Sequence, residues 1–197
     1  MPFAAIDFEL ANGKPTSVCA LGVAVFTANR MVKQYKWLIR PPHGSGEFLA
    51  GSVRVHGITE DMVADKPEFY EIWEKLAPIL KGKTLVAHNA PFDTGVLRKN
   101  CDHFGIALDA HNYVCSCQVA RKLFPELTNH KLSTVADYLG IRLNHHDPVS
   151  DAAAAGYILL AAMKMLGVRS PEAAAKALDV KIGKMEALSG ESYFAES

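Results

Sequence analysis

The chain has 197 residues, 49% of them hydrophobic and 21% charged, which suits one ordinary domain with a full core and excludes a disordered or disulfide-stapled chain. Its 21 Lys and Arg balance its 21 Asp and Glu. That zero sum argues against a protein that coats nucleic acid by bulk positive charge, whose affinity comes from releasing many counterions, but it leaves room for a local phosphate site built on a few basic groups or bound cations. Cys19, Cys101, Cys115 and Cys117 are too scattered for a disulfide framework and read as reduced apolar residues on or beside strands. The stretch from Met1 to Asp7 has no basic segment followed by a long apolar run, and no segment reaches the roughly 18 apolar residues of a membrane span. A cytoplasmic protein with no membrane partner is therefore expected.

In chain order, Phe3 to Phe8 is a short apolar run closed by Asn12-Gly13, and it reads as a strand and turn. Val18 to Phe26 is apolar on both faces, as in a strand covered on two sides. Met31 to Ile39 carries Lys33 and Lys36, the mark of an edge strand. Short connections make these three strands antiparallel neighbours. Glu68 to Leu80 has helical apolar spacing at Phe69, Ile72, Trp73, Leu76 and Ile79. Thr84 to Ala87 follows as a buried strand, then a helix with Asn89 as N-cap and Pro91 in its first turn. Val114 to Cys117 reads as a further strand, Gln118 to Leu123 and Leu132 to Leu139 as helices, and Pro148 to about Leu166 as a long helix. The order predicts an α/β fold with a mixed five-stranded sheet, three antiparallel strands and then parallel ones, flanked by helices. Residues 1–167 form the expected domain and residues 168–197 a C-terminal helical extension with a loose end from Ser189. Tyr35 and Trp37 on the edge strand suit either a homodimer or packing under the C-terminal helix.

Three acidic segments stand out. Asp7 and Glu9 are two apart on the first strand and share a face, where like charges repel unless protonated or bridged by a cation. Asp93 falls about one turn into the helix after Thr84 to Ala87, near a strand's carboxyl end where such sheets hold ligands. In Asn144 to Asp151, Asp147-Pro148 is an N-cap and N1 pair that leaves His146 just outside the helix and Asp151 one turn inside. Four carboxylates suit hard Mg²⁺ or Mn²⁺, and a neutral histidine could take a proton from an attacking water.

These segments, Asp7-Phe8-Glu9, Val86-Ala87-His88-Asn89-Ala90-Pro91-Phe92-Asp93 and His146-Asp147-Pro148-Val149-Ser150-Asp151, resemble the three motifs of the DEDDh 3′-5′ exonucleases. That group includes the proofreading epsilon subunit of bacterial DNA polymerase III, ribonuclease T and oligoribonuclease. Val55-His56-Gly57-Ile58-Thr59 and Lys131 to Gly140 resemble the segments between the motifs. The His-x4-Asp spacing selects His146 over His145. The resemblance implies a ribonuclease H-like fold and hydrolysis at single-stranded nucleic acid 3′ ends with two Mg²⁺ or Mn²⁺ ions. It implies that Asp7, Glu9, Asp93 and Asp151 form the metal site, that His146 is the general base, and that Leu10, Val55, His56 and Phe92 meet the terminal nucleotides. Leu10 stands where the family often has threonine, which removes a hydroxyl. DNA is the expected substrate, with RNA trimming the alternative. Arg98, Lys99, Arg121, Lys122 and Lys131 are either phosphate contacts or solvated helix faces. The tail from Ser170 either docks a DNA polymerase III partner or packs on its own domain, the latter favoured by Ala173, Ala174, Ala177 and Leu178.

Overall fold

The computed structural model describes residues 2–190. Its centre is a six-stranded sheet in the order β3-β2-β1-β4-β5-β6, formed by β1 (Phe3–Leu10), β2 (Val18–Phe26), β3 (Met31–Leu38), β4 (Thr84–Ala87), β5 (His111–Cys115) and β6 (Gly183–Met185). β1 is antiparallel to β2, and β2 to β3; β4 runs parallel to both β1 and β5. The expected five strands thus become six, because β6 joins antiparallel to β5. Three residues interrupted by Lys184 carry too little pattern to be read as a strand; the pairing comes from an edge that β5 leaves open.

The helices are α1 (Ala50–His56), α2 (Glu60–Val63), α3 (Phe69–Leu80), α4 (Ala90–His103), α5 (Ser116–Leu123), α6 (Leu132–Tyr138), α7 (Pro148–Met165) and α8 (Pro171–Ala177). α1 and α2 were not expected: α1 buries no residue and α2 is a single turn, so neither has apolar periodicity. β5 also ends two residues before the predicted Cys117, since Ser116 turns the chain into α5 and donates its hydroxyl to the Ala87 carbonyl of β4 at 3.2 Å. α3 opens with a capping box, Glu68 accepting from the N3 backbone while Glu71 accepts the Glu68 N–H at 2.7 Å.

Alternation along β1 sorts the two layers. Ala4, Ile6 and Phe8 join Phe69, Ile72, Leu76, Val96 and Leu97 under α3 and α4, while Phe3 and Ala5 join Ala152, Leu159 and Ala162 of α7 and Ala174 and Ala175 of α8. Asp7 and Glu9 follow the parity of Phe3 and Ala5, so they face α7. α7 lies unusually close to the sheet. A Cβ on Gly22 of β2 would fall 2.0 Å from the Pro148 carbonyl oxygen, and one on Gly156 of α7 would fall 2.2 Å from Cε2 of Phe26. Phe26 is itself fixed, stacked on Phe3 at 4.9 Å and edge-on to Tyr157 at 5.2 Å.

On β3, Tyr35 and Trp37 stack on each other at 5.5 Å and pack against the layer under α3, not beneath the C-terminal helix. Beyond α7, Ser170 caps α8 by accepting the Ala173 N–H at 3.2 Å, and Thr84 donates its hydroxyl to Glu172. Arg98 donates to the Glu186 carbonyl at 3.1 Å, and Leu188 bridges Leu108. The segment after Ser170 therefore packs on its own sheet as far as Leu188; of the expected loose end, Glu191 and Ser192 lie outside the described residues. All four cysteines are free.

Candidate active site

β1 outruns β4. Their parallel pairing covers only Phe3 to Ala5, so beyond Ala5 the edge of β1 that faced β4 has no strand partner among the described residues. Asp93 in the first turn of α4 fills that gap: its Oδ1 accepts the Phe8 N–H at 3.1 Å, between Asp7 and Glu9. The corner that aims α4 is held by His88, whose ring nitrogens meet Ser116 Oγ at 3.0 Å and the His130 carbonyl at 2.8 Å. Asn89 occupies the N-cap position as expected, but in left-handed backbone at φ 85° and without a side-chain cap bond, a conformation asparagine tolerates better than most residues.

From the other layer comes the start of α7. Asp147 caps it by accepting the N–H groups of Val149 at 3.1 Å and Ser150 at 3.3 Å, and its Oδ2 pairs with Lys36 of β3 at 2.5 Å. Burial opposes its ionisation, yet Lys36 and these N–H groups hold the Asp147 carboxyl below the usual range. One turn in, Asp151 is buried, and its Oδ2 accepts both the His146 N–H and Nδ1 of His145 at 3.0 Å each. Oδ1 of Asp151 is buried with no partner among the described residues.

Asp7, Glu9 and Asp151 each bring a carboxylate oxygen within 4.8 Å of the other two. Burial, then the charges of Asp93, Asp151 and Glu9, push the Asp7 carboxyl well above the ordinary range. Glu9 is pushed up to about 7 by burial and by Asp151 and Asp147, and Asp151 is raised by burial. Asp93, in a dry setting against β1, rises to about 8 although the Phe8 N–H favours its ionised form. Among the described residues no lysine or arginine pairs with any of the four. Hard oxygen donors, an unpartnered buried Oδ1 and mutually opposed ionisation are the chemistry of a Mg²⁺ or Mn²⁺ site, so Asp7, Glu9 and Asp151 fit such ions, whereas Asp93, its Oδ1 taken by the Phe8 N–H, stands outside their group.

His146 sits at φ 68°, a left-handed setting rare outside glycine that costs of order 1 kcal/mol or more and persists only where the surrounding structure imposes it. Its ring stacks on His145 with centroids 3.8 Å apart, and a ring nitrogen lies within 4.8 Å of an Asp151 oxygen. Burial and His145 lower its pKa from the ordinary value, against the pull of Asp151. A neutral imidazole beside the acids can accept a proton near neutral pH.

Around the cluster, Val55 and Phe92 are 51% and 47% exposed and so free to meet a ligand. His56 is different. Its Nδ1 accepts the Ile58 N–H at 3.0 Å, so its hydrogen is on Nε2, which donates to the Leu10 carbonyl at 3.2 Å. Both ring nitrogens are used within the protein, leaving the ring itself to contact anything bound. Leu10 follows a bulge after Glu9 and packs partly toward the α3 layer.

The sequence model of the RNase T exonuclease family matches residues 4–159, which span all three acidic segments. The chain belongs to this exonuclease family. Asp7, Glu9, Asp93, His146 and Asp151 place it among the DEDDh exonucleases, in agreement with the motif resemblance. It is similar to the PolC-type DNA polymerase III of Bacillus cereus, 37% identical over 113 residues, which are 57% of this chain and 8% of the polymerase. The PolC-type polymerase of Oceanobacillus iheyensis is 31% identical over 144 residues, 73% of this chain and 10% of that one. The chain thus spans about a tenth of the length of the curated relatives it matches. In fold it is similar to exonuclease X in complex with 5′ overhanging duplex DNA (TM-score 0.71, 21% identity, 89% of this chain and 99% of that one). The rAMP-bound nuclease domain of 3′hExo, a DEDDh family member, superposes with a TM-score of 0.65 at 16% identity, over 92% of this chain and 96% of that one.

Four structural residues of this RNase T-family site escaped the sequence reading. Gly22 is the glycine interrupting an otherwise apolar strand, a signal for close backbone approach. Lys36 and Asp147 were read for other roles, edge protection and capping, and their pairing needs the three-dimensional register. His145 was set aside by motif spacing.

Proposed function

We propose that the chain is a metal-dependent 3′-5′ exonuclease that removes nucleotides from single-stranded 3′ ends, with DNA as substrate. Residues 1–167 would carry the catalysis, and the described part of the extension, residues 168–190, would support the same body. The observation that carries this reading is the convergence of Asp7, Glu9 and Asp151 on one point, with the Asp151 Oδ1 left unpartnered. Two Mg²⁺ or Mn²⁺ ions held there would supply charge neutralisation for the scissile phosphate and a water of lowered pKa. Asp7, Glu9 and Asp151 would hold those ions, and Asp93 orders the rim while tying α4 to β1. His146 accepts the proton of the attacking water. Val55 and Phe92 offer apolar and aromatic surface against the last bases, beside Leu10 and the ring of His56. A cytoplasmic setting accords with this role.

A second reading, favoured by the likeness to PolC-type polymerases, is a proofreading activity working beside a DNA polymerase III. Since residues 171–188 are engaged with their own sheet, docking would use another surface.

The test is release of nucleotides from end-labelled single strands, as matched DNA and RNA, with Mg²⁺ or Mn²⁺. Degradation of the 3′-terminal end of DNA, lost in EDTA and in Asp7→Ala, is expected. Activity undiminished in Asp7→Ala would overturn the site assignment, and preference for RNA would overturn the substrate.

A further inference from the structure

We propose that His145, which motif spacing passes over, is a positioning residue that sets both the carboxylate of Asp151 and the ring of His146. The role rests on the reading of Asp151 as a metal ligand. Two donors converge on one oxygen of that carboxylate: the His146 N–H and Nδ1 of His145, each 3.0 Å from Oδ2. With Oδ2 held from two directions the carboxylate is restrained, and its buried Oδ1 is left without a partner among the described residues, beside the group that Asp151 forms with Asp7 and Glu9. Donation from Nδ1 requires the hydrogen on that nitrogen, which also fixes which way the imidazole faces. The same ring lies flat against His146, centroids 3.8 Å apart and planes 18° from parallel. It thereby limits how far the His146 ring can swing about its left-handed backbone.

One side chain therefore braces two functional groups from outside, and its own exposure matters. The His145 side chain is 42% exposed whereas that of Asp151 is 5% exposed, so replacing His145 opens no hole in the core. Its loss should alter where the two groups point more than whether the chain folds. Residues that hydrogen-bond a metal-ligating side chain typically contribute about 10–100-fold to metal affinity or activity.

Two replacements separate the two contacts. His145→Phe keeps a flat ring against His146 but has no donor; His145→Asn places an amide nitrogen near the position of Nδ1 but has no ring. Each is prepared as the full chain, confirmed folded by thermal melting, and titrated with Mn²⁺ while free ion is read by electron paramagnetic resonance; kcat and KM are measured on a single-stranded oligonucleotide. His145→Phe should weaken Mn²⁺ binding about 10–100-fold. His145→Asn should bring Mn²⁺ affinity back toward wild type and lower kcat with KM unchanged. Wild-type Mn²⁺ affinity in His145→Phe, when Asp151→Asn has lost it, would overturn the role of His145 and leave the metal site standing. Failure of the unaltered chain to bind Mn²⁺ would instead overturn the reading of the site itself, and this role with it.

Discussion

Gly22→Ala should damage the enzyme far more than one added methyl suggests. Gly22 pairs with Asp7 on one side and Lys36 on the other, in a row across three strands beneath the first turn of α7. The new Cβ would sit 2.0 Å from the Pro148 oxygen, 2.1 Å from its carbonyl carbon and 2.4 Å from the Val149 nitrogen, all of them backbone atoms. Relief to an ordinary contact of about 3.5 Å needs a movement of about 1.5 Å. The turn that must move carries Asp151, and Asp7 stands opposite. Overpacking of this kind costs about 1–3 kcal/mol of stability. A misplacement of about 1 Å at a reacting centre can cost on the order of 100-fold in rate. The assay is nucleotide release per folded molecule, with melting temperature recorded in parallel. Gly156→Ala is the control, because its Cβ would strike Phe26 at 2.2 Å, further along α7 and away from the acids. It should lose comparable stability and much less rate. Near-wild-type turnover in Gly22→Ala, or equal rate losses in both, would refute the claim that Gly22 sets the distance between α7 and β1.

Other outcomes follow from the same geometry. In EDTA, stability should fall as pH rises from about 4 to 8: Asp7, Glu9, Asp93 and Asp151 all have raised folded-state pKa values, with Glu9 at about 7 and Asp93 at about 8. The folded chain then holds protons the unfolded chain has released, so each extra proton gives a slope of about −1.4 kcal/mol per pH unit, fully stabilising below the unfolded carboxylate range. The lowered values of His56, His88 and His146 act in the opposite sense, so urea melts at pH 5 and 8 are compared between the wild type and Glu9→Gln; a wild-type decline no steeper than that of the variant would contradict the raised value of Glu9. Mn²⁺ at about 100 times its dissociation constant should add about 2.7 kcal/mol to the wild type and little to Asp7→Asn, read as a shift in melting temperature. Asp147→Ala, which removes a helix cap, should cost about 1 kcal/mol, while Lys36→Met at the exposed end of the pair should cost less than about 1 kcal/mol, both measured by denaturant melts. Truncation before Ser170 removes Ala174, Ala175 and Val180 from the core and should markedly lower the melting temperature; an intact melt would show that α8 is dispensable.

Much of this was legible because the elements around the site are long and strongly patterned. β2 and β4 fall at their predicted bounds, and the Asp147-Pro148 pair marked the start of α7. The parity of Asp7 and Glu9 followed from strand periodicity alone. What escaped depends on tertiary pairing: β6 exists because β5 leaves an edge, and α1 is helical without burying a residue. Likewise, a hydrogen bond from Phe8 to Asp93 cannot be read from residue spacing, because it requires β1 to be longer than its neighbour. His56 shows the converse: the motif drew attention to its ring, and the folded chain also makes it a tie between α1 and the end of β1.

The position of β1 and β4 as the third and fourth of six strands has a consequence for how this module tolerates being rebuilt. Asp7 and Glu9 stand on a central strand, flanked on one side by β2 and β3 and on the other by β4, β5 and β6. Sequence grafted onto either rim would deform the outer strands before it reached Asp7 or Asp93. Fusion partners and linkers attached beyond β6, or a rebuilt β2–β3 hairpin tip, should therefore be accepted with turnover intact, whereas a single inserted residue between β4 and α4 should not.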